Sequence, residues 1–356
     1  MDGLSQYILN VTSRLPRHED RHYTIVVRPD ECPERFLDSW REQGMTVLTA
    51  PIAPIGPLRE RQFKQWLRTQ PSFDAALVPS NQYPLALAVP TVYVVHDIIY
   101  ERYPNQLGKR AFWKRWWLHY NVAKGLQKAS RVVAVSRFTK QEILHFHPQV
   151  DAQKISVVYE GWEHLENHSK TQTIDVPFRE YILYVGSTRG HKNIQGLLDA
   201  MTITAPHLPE KTGLVIAGDD RMLNAHQRQQ LENLRDRVRM TGWLDSDALD
   251  AYCRQAKAMI FPSLCEGFGI PVLEAFYYRK PLLLSNASSL PEVAGDAALY
   301  FDPHQPEEIA ARIEEALCMT ADEQTKWIKK GEARLKVFSW QKTADEIDGM
   351  ITNLLR

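Results

Sequence analysis

Two glutamates eight positions apart occupy the loop and the helix that follow a predicted strand ending near Phe261. The segment 266–274 reads Glu-Gly-Phe-Gly-Ile-Pro-Val-Leu-Glu. Its glycines let the backbone approach a ligand, and its proline is typical of a first helical turn, whose free N–H groups attract an anion. Glu266 is placed to accept hydrogen bonds from sugar hydroxyls, and Glu274 from a pair of ribose hydroxyls. The pattern predicts a site for a sugar joined to a nucleoside through phosphate; the structural alternative is a surface loop with a capping glutamate.

A second predicted strand, 181–185, runs into a glycine turn that carries two cations. Residues 186–193 read Gly-Ser-Thr-Arg-Gly-His-Lys-Asn, with Arg189 and Lys192 as the cations. Fixed positive charge in a dry cleft suits a diphosphate. The alternative is an exposed basic turn without a ligand.

His96 and Asp97 follow a third apolar run, 91–95. Ligands of parallel α/β sheets bind beyond the carboxyl ends of the strands, so both residues are expected to face a cleft. A histidine there can donate to a sugar hydroxyl or carry a proton. The alternative is a histidine that closes a local turn.

The elements that must position these residues are repeated βα units. Near-continuous apolar runs alternate with helical segments, which is how strands appear when helices cover both faces of a parallel sheet. The fold class is therefore α/β, with two doubly wound, Rossmann-like domains that face a cleft. We expect a first domain over 1–165, a second over 166–338, and a terminal helix over 339–356 that packs back toward the first. The polar stretch 163–177 is the expected linker.

Composition excludes several classes of protein. Lys plus Arg and Asp plus Glu both number 43, so the balanced charge argues against a nucleic-acid partner. The 4 cysteines form no Cys-x-x-Cys pair and are expected to be free thiols in a reducing compartment. The N-terminus lacks the pattern of a secretory signal, and the longest apolar stretch, 85–95, is too short to span a bilayer. We expect a cytoplasmic protein, free or peripheral on the cytoplasmic face of a membrane.

These residues resemble glycosyltransferase family 4, the retaining nucleotide-sugar glycosyltransferases with the GT-B architecture. The Glu266…Glu274 pair is similar to that family's Glu-x7-Glu signature. The segments 183–193, 215–218, 241–244 and 289–295 occur in the family's order, and the likeness covers about residues 85–345. The glycine turn resembles most the bacterial mannosyltransferase branch that builds O-antigen and related polysaccharides.

The resemblance implies a role for each residue. Glu274 would bind the donor ribose and Glu266 the donor sugar. Arg189 and Lys192 would neutralise the departing diphosphate, and His96 would contact the transferred sugar. Four of these are the implied catalytic residues: His96, Glu266, Arg189 and Lys192. The donor site is implied to comprise Gly186, Arg189, Lys192, Leu244, Gly267, Phe268, Gly269 and Glu274, and the acceptor side Gly3 and Asp97.

The implied activity is transfer of a hexosyl group, with mannosyl from GDP-mannose as the first expectation, to a saccharide or a lipid-linked saccharide in polysaccharide biosynthesis. No metal or other cofactor is expected, because the cations and the helix dipole would take its place. Two alternatives remain: a nucleotide-sugar epimerase or hydrolase on the same architecture, and a catalytically inactive scaffold that binds a partner. The oligomeric state is left open.

One feature departs from the family pattern. Residues 3–9 resemble the family's first glycine loop and helix, but the strand that normally precedes them is missing. That strand would lie in the middle of the first sheet, so either the true start lies upstream or the first domain lacks this strand. The resemblance implies that Gly3 is the acceptor-side glycine near the donor phosphate.

Three polar patterns are interpreted structurally. Asp245-Ser-Asp247 resembles a metal-binding Asp-x-Asp but opens a helical stretch, so we expect helix capping. His145 and His147 are two apart and fall on different helix faces, which argues against a metal site. Residues 139–142, Thr-Lys-Gln-Glu, predict a capping box.

The segment 109–124 combines a wide aromatic face with five cations. This composition is typical of a helix that lies on an anionic membrane. It equally fits a helix packed on the first sheet with a solvated basic edge, and the sequence does not separate the two interpretations.

Overall fold

The computed structural model describes residues 3–29, 32–104, 112–167 and 174–356. They form two compact units: a first unit of residues 1–160 and 339–356, and a second unit of residues 161–338. The expected boundary at 165/166 lies a few residues beyond this division. Part of the expected linker, 168–173, lies outside the described residues.

The second unit is built on one sheet of six parallel strands. From one edge to the other, its strands lie in the order β9-β8-β7-β10-β11-β12. When the strands are renumbered from β7, the first strand of this unit, that order becomes 3-2-1-4-5-6. This is the strand order of a Rossmann sheet. Most residues of the central strands are fully buried, as expected when helices cover both faces. The strands are β7 (Glu180–Val185), β8 (Thr212–Ala217), β9 (Val238–Met240), β10 (Ala258–Phe261), β11 (Leu282–Ser285) and β12 (Leu299–Phe301).

Seven helices accompany this sheet in the described part of the second unit. Four of them begin at side-chain caps that the local sequence supplies. Asn193, for example, accepts from the N–H of Gly196, and Asp245 from that of Ala248. The helices are α7 (Ile194–Thr204), α8 (Ala225–Asn233), α9 (Ser246–Gln255), α10 (Ile270–Tyr277), α11 (Leu290–Ala294), α12 (Pro306–Cys318) and α13 (Ala321–Leu335).

The first unit contains two separate parallel sheets among its described residues. β1 pairs with β2 alone, and β3-β4-β5-β6 form the other sheet. No strand joins these two groups among the described residues. The strands are β1 (Thr24–Val27), β2 (Thr46–Thr49), β3 (Ala76–Val78), β4 (Thr91–Val95), β5 (Arg131–Ala134) and β6 (Ile155–Val157).

Helices cover the larger sheet, and the C-terminal helix belongs to this unit. Trp340 of that helix is fully buried and meets Tyr7 edge-on, and Thr343 donates a hydrogen bond to the carbonyl of Tyr159. The helices are α1 (Gly3–Thr12), α2 (Glu34–Glu42), α3 (Pro57–Leu67), α4 (Ile99–Arg102), α5 (Phe112–Lys128), α6 (Arg137–Phe146) and α14 (Trp340–Leu355).

The capping box predicted at 139–142 is wrong. Helix α6 begins earlier, with Ser136 as its cap, and the Ser136 hydroxyl accepts from the N–H of Thr139. Glu142 instead forms a two-pronged ion pair with Arg102 of α4, with N···O distances of 2.6 and 2.7 Å. Ser136 therefore caps this helix in place of Thr139, and Glu142 pairs with a residue of another helix.

No helix in the described ranges is long and apolar enough to cross a membrane.

Candidate functional site

The two predicted donor segments follow neighbouring strands of the second unit. β7 and β10 lie side by side at the centre of the sheet, and the chain leaves them in opposite directions along it. At such a switch point the loops diverge and leave a crevice beyond the carboxyl ends of the strands. The loop after β7 carries Arg189 and Lys192, and the loop after β10 carries 266–269.

Lys192 and Glu266, one from each loop, form an ion pair in this crevice. The Lys192 ammonium lies 2.7 Å from Oε1 of Glu266, and both side chains are mostly buried. Burial alone would raise the pKa of Glu266, but the charge and hydrogen bond of Lys192, with a hydrogen bond from Ser263, outweigh it. The pKa of Glu266 therefore lies below its usual value, and the carboxylate is ionised at neutral pH.

Serine hydroxyls hold the 266–269 loop in place. The buried Ser289 hydroxyl lies 3.0 Å from the carbonyl of Glu266 and 2.8 Å from that of Phe268, and the N–H of Glu266 donates to Ser288. The N–H of Leu264 donates to the carbonyl of His191 at 2.7 Å, which ties this loop to the one after β7. The loop is thus fixed before any ligand arrives.

Gly269 ends the loop and begins α10 in a conformation that requires glycine. Its φ is +104°, and an added Cβ would lie 2.8 Å from a methyl of the buried Leu290. Pro271 occupies the first turn of α10, as the sequence predicts. The N-terminus of this helix and the positive end of its dipole could hold an anion beside Gly267 and Phe268.

Glu274 has no hydrogen-bond donor for its carboxylate in the described structure, although it is only partly exposed. Burial raises its pKa to about 7, with the charge of Lys192 acting in the opposite direction. An unpaired acidic group of raised pKa in a cleft is typical of a functional site. Bound hydroxyl groups would supply the donors that this carboxylate lacks.

The loop after β7 approaches the loop after β8 backbone to backbone. A Cβ on Gly218 would lie 2.1 Å from the carbonyl oxygen of Gly186, so only glycine fits there. Arg189 is exposed on this turn and forms no ion pair with any described residue, whereas the neighbouring His191 is buried. Burial lowers the pKa of His191 to about 4, so this imidazole is neutral.

Leu244 lies in the loop after β9, at one edge of the sheet, with Trp243 fully in solvent beside it. The adjoining Asp245 caps α9, and its Oδ1 accepts from Ala248 at 2.8 Å. The geometry therefore agrees with the capping interpretation of Asp245-Ser-Asp247.

His96 lies at the carboxyl end of β4 in the first unit, and both of its ring nitrogens have partners. Nδ1 is 3.3 Å from Glu160 and Nε2 is 3.1 Å from the carbonyl of Pro79, while Tyr7 meets the ring edge-on. Oδ1 of Asp97 accepts a hydrogen bond from the N–H of Ile99, two residues further on. Both partners of the His96 ring are distant in sequence, so they do not close a local turn, and contact of His96 with the transferred sugar stays a prediction.

Gly3 is the first residue of α1 and is exposed, rather than part of a loop before the helix. Sequence reasoning missed two further groups of this unit. The Tyr7 hydroxyl is buried without a hydrogen-bond partner in the described ranges, and Glu160 packs under His96. In the second unit it missed Ser263 and Ser289. A lone serine or tyrosine carries no spacing signal, so only the fold could reveal them.

Taken together, the second unit offers an anion site at a helix start, a cation paired with an ionised carboxylate, and an unpaired carboxylate one turn further on. This set can hold a phosphate group between two hydroxyl-bearing groups.

The solved structures place the fold among glycosyltransferases of the GT-B type. Anabaena Alr3699/HepE, solved with UDP and glucose, superposes with a TM-score of 0.73 at 16% identity, over 99% of this chain and 96% of that one. The predicted α/β, GT-B fold is confirmed.

Family models match almost the whole chain in two parts. "Glycosyltransferase Family 4" matches residues 1–163, and "Glycosyl transferases group 1" matches residues 170–334. The chain belongs to this family of glycosyltransferases, as the resemblance implied.

Curated relatives point to one branch. The O-antigen chain mannosyltransferase B of Escherichia coli is 29% identical over 238 residues, 63% of this chain and 61% of the relative. The serotype-specific mannosyltransferase WbdA of Escherichia coli is 30% identical over 287 residues, 75% of this chain. The chain spans only 61% and 34% of the lengths of these two relatives.

Proposed function

We propose that this chain is a retaining glycosyltransferase that moves a hexosyl group to a saccharide or lipid-linked saccharide during polysaccharide synthesis. The hexosyl group that we expect first is mannosyl, with GDP-mannose as the donor. The observation that carries this proposal is the Lys192–Glu266 ion pair beside the unpaired Glu274 at the start of α10. Membership of the family and the names of the mannosyltransferase relatives support it. GDP-mannose is chosen because of those relatives and of the glycine turn.

In this proposal the ligand-free ion pair reorganises when the donor binds. The diphosphate is a second anion that competes with Glu266 for Lys192, and Arg189 is exposed and unpaired within the described structure. Charge-assisted hydrogen bonds from both cations, with the N–H groups of α10, would neutralise the diphosphate as it leaves. Glu266, released in part from Lys192, would accept hydrogen bonds from the sugar hydroxyls.

The reaction breaks the bond from the anomeric carbon to the phosphate oxygen and forms one from the same carbon face to the acceptor oxygen. The acceptor hydroxyl gives its proton to the leaving phosphate oxygen, so no protein base is needed for that step. We expect no metal ion in the transfer, since the cations and α10 provide the positive charge. His96 would contact the transferred sugar.

A thermal-shift screen of GDP, UDP and ADP with their sugars, followed by product analysis, tests this function. A ligand that binds only the folded chain raises the apparent melting temperature. We expect the largest shift with GDP and GDP-mannose, and a new α-mannoside when an acceptor saccharide is added. Release of nucleotide without a new glycoside would favour the hydrolase or epimerase, and no shift with any nucleotide would favour the inactive scaffold.

We also propose that the chain works on the cytoplasmic side of a membrane, docked through α5. The cysteine usage fits a reducing compartment. The amino-terminal half of α5 exposes Trp113 (75%) and Trp116 (49%), with Tyr120 stacked on Trp116, and it carries Lys114 and Arg115. Its other half packs into the first unit through Val122 and Leu126. The exposed half of the helix supports the proposed docking to a membrane, and the buried half fits a helix packed on the first sheet. Lys109 and Arg110 lie outside the described residues.

A further inference from the structure

Three side chains from separate elements of the first unit meet away from the residues assigned to transfer. Glu101 belongs to α4, His119 to α5, and His147 follows the end of α6. One ligand atom of each lies within 4.8 Å of those of the other two. The Glu101 carboxylate and Nδ1 of His119 are already 2.5 Å apart, and the rings of His119 and His147 stack with their centroids 5.1 Å apart.

His147 is the least satisfied member of this group. It is only 1% exposed, and its buried Nε2 has no hydrogen-bond partner within the described ranges. A buried polar atom without a partner is costly unless something not shown completes it.

We propose that Glu101, His119 and His147 form a binding site for a divalent transition metal, of which Zn²⁺ fits best. Two imidazoles and one carboxylate are a ligand set that zinc takes with a fourth position open to water. The inference does not rest on the proposed glycosyl transfer, because none of the three residues has a part in it.

The geometry needs only a local adjustment. Ligands about 2.0–2.1 Å from a tetrahedral ion lie about 3.3 Å from one another, so the widest gap of 4.8 Å must close. His119 can make that movement because its side chain is 49% exposed. The helix that carries Glu101, α4, is tied to α6 by the ion pair of Arg102 with Glu142. The exposed side of His119 also gives an ion a route from solvent.

Such a site would join residues of three elements of the first unit, of which Glu101 and His147 are 46 positions apart in the sequence. Spacing within α6 argued against a metal at His145 and His147, and His145 indeed lies exposed outside the cluster. The partners of His147 come from α4 and α5 instead, which no pattern within one helix reveals.

The test is a calorimetric titration of the full chain with ZnCl₂, after removal of any affinity tag and of bound metal by a chelator. We expect one strong zinc site in the parent protein. His119→Ala and Glu101→Gln should each weaken it at least about tenfold, and His119→Ala leaves the buried groups in place. Replacing zinc with Co²⁺ should give the intense visible absorption of a tetrahedral site in the parent and not in His119→Ala.

The matched control is His145→Ala, which removes an exposed imidazole two residues from His147 and should bind zinc as the parent does. Absence of a strong site in the parent would overturn the proposal. Equal affinity in the parent, His119→Ala and Glu101→Gln, or an equal loss in His145→Ala, would place the ion elsewhere and also overturn it.

Discussion

At the scale of single residues, Glu274 is the clearest conflict between folding and function. Its carboxylate is partly buried and meets no hydrogen-bond donor in the described structure, so ionising it is unfavourable. Folding alone would favour a neutral side chain at that position. A carboxylate retained at such a cost is typical of a group whose partner is a ligand.

Glu274→Gln should stabilise the ligand-free chain at pH 8 and not at pH 4.5. The folded pKa of about 7 exceeds the ordinary 4.5, so the folded parent holds a proton more tightly than the unfolded chain. The contribution of Glu274 to the free energy of unfolding is therefore largest below pH 4.5 and is lost as the pH rises through 7. Glutamine imitates the neutral form, so the variant should gain about 1–3 kcal/mol at pH 8 in chemical denaturation.

The same substitution should weaken nucleotide binding at pH 8, because the ribose hydroxyls lose a charged acceptor worth about 1.5–3 kcal/mol. The exposed Glu232→Gln serves as the control, with neither effect expected. A Glu274→Gln protein that matched the parent in stability at pH 8 and in nucleotide affinity by calorimetry would remove this role from Glu274.

Glu266→Ala should reduce turnover far more than nucleotide affinity. The side chain is proposed to contact the donor sugar, and its removal frees Lys192 to bind the diphosphate all the more firmly. We expect kcat to fall by about 100-fold or more while the affinity for GDP stays the same or increases. Steady-state kinetics together with calorimetry of GDP decides this, and parental turnover in the variant would discard the assignment.

At the scale of elements, the strands were predictable and the side-chain pairs were not. The strands predicted at 91–95, at 181–185 and up to Phe261 occur within one residue of those bounds, because a strand covered on both faces must be a continuous apolar run. The Lys192–Glu266 pair joins loops 74 positions apart, and only the strand order makes those loops neighbours. The loops could be predicted from the sequence, whereas their contact required the topology.

The ends of helices also show which contacts can be predicted from the sequence and which cannot. The cap at Asp245 was predicted correctly because its partner lies three residues away in the same helix. The capping box predicted at 139–142 is wrong because Glu142 pairs with Arg102, 40 positions earlier. The partners of His96 are likewise distant in sequence. Short-range chemistry can be deduced from the sequence unless a tertiary partner competes for the same group.

Gly218→Ala should disrupt the donor loops through the backbone alone. Its Cβ would meet the carbonyl oxygen of Gly186 at 2.1 Å, and a backbone atom cannot move aside as a flexible side chain can. We expect a loss of about 2 kcal/mol or more in the free energy of unfolding. The control is Gly349→Ala in α14, where nothing lies within 4 Å and alanine should stabilise the helix by about 0.5–1 kcal/mol. If Gly218→Ala proved as stable as the parent in denaturant titration, the contact between the two loops would be refuted.

At the scale of the whole molecule, the two units differ in how completely their sequences specify a site. The second unit has one continuous six-stranded sheet with a site at its switch point. The first has two separate sheets among its described residues, and its two predicted site residues, His96 and Asp97, already have hydrogen-bond partners within the unit. The specific part of the family pattern accordingly lies in the second unit, whereas the first carries the helix that we propose docks the chain to a lipid surface.

Where the whole chain resides can be tested on vesicles. The parent should co-sediment with phosphatidylcholine vesicles that contain about one third phosphatidylglycerol, and less so as salt screens the basic residues of α5. The double variant Trp113→Ala/Trp116→Ala should bind about tenfold more weakly, because two exposed indoles no longer enter the interface. Trp243→Ala removes an equally exposed indole (79%) from the second unit and should bind as the parent does. Equal binding by all three proteins would show that α5 is not the docking surface, and binding to pure phosphatidylcholine alone would contradict the role of its cations.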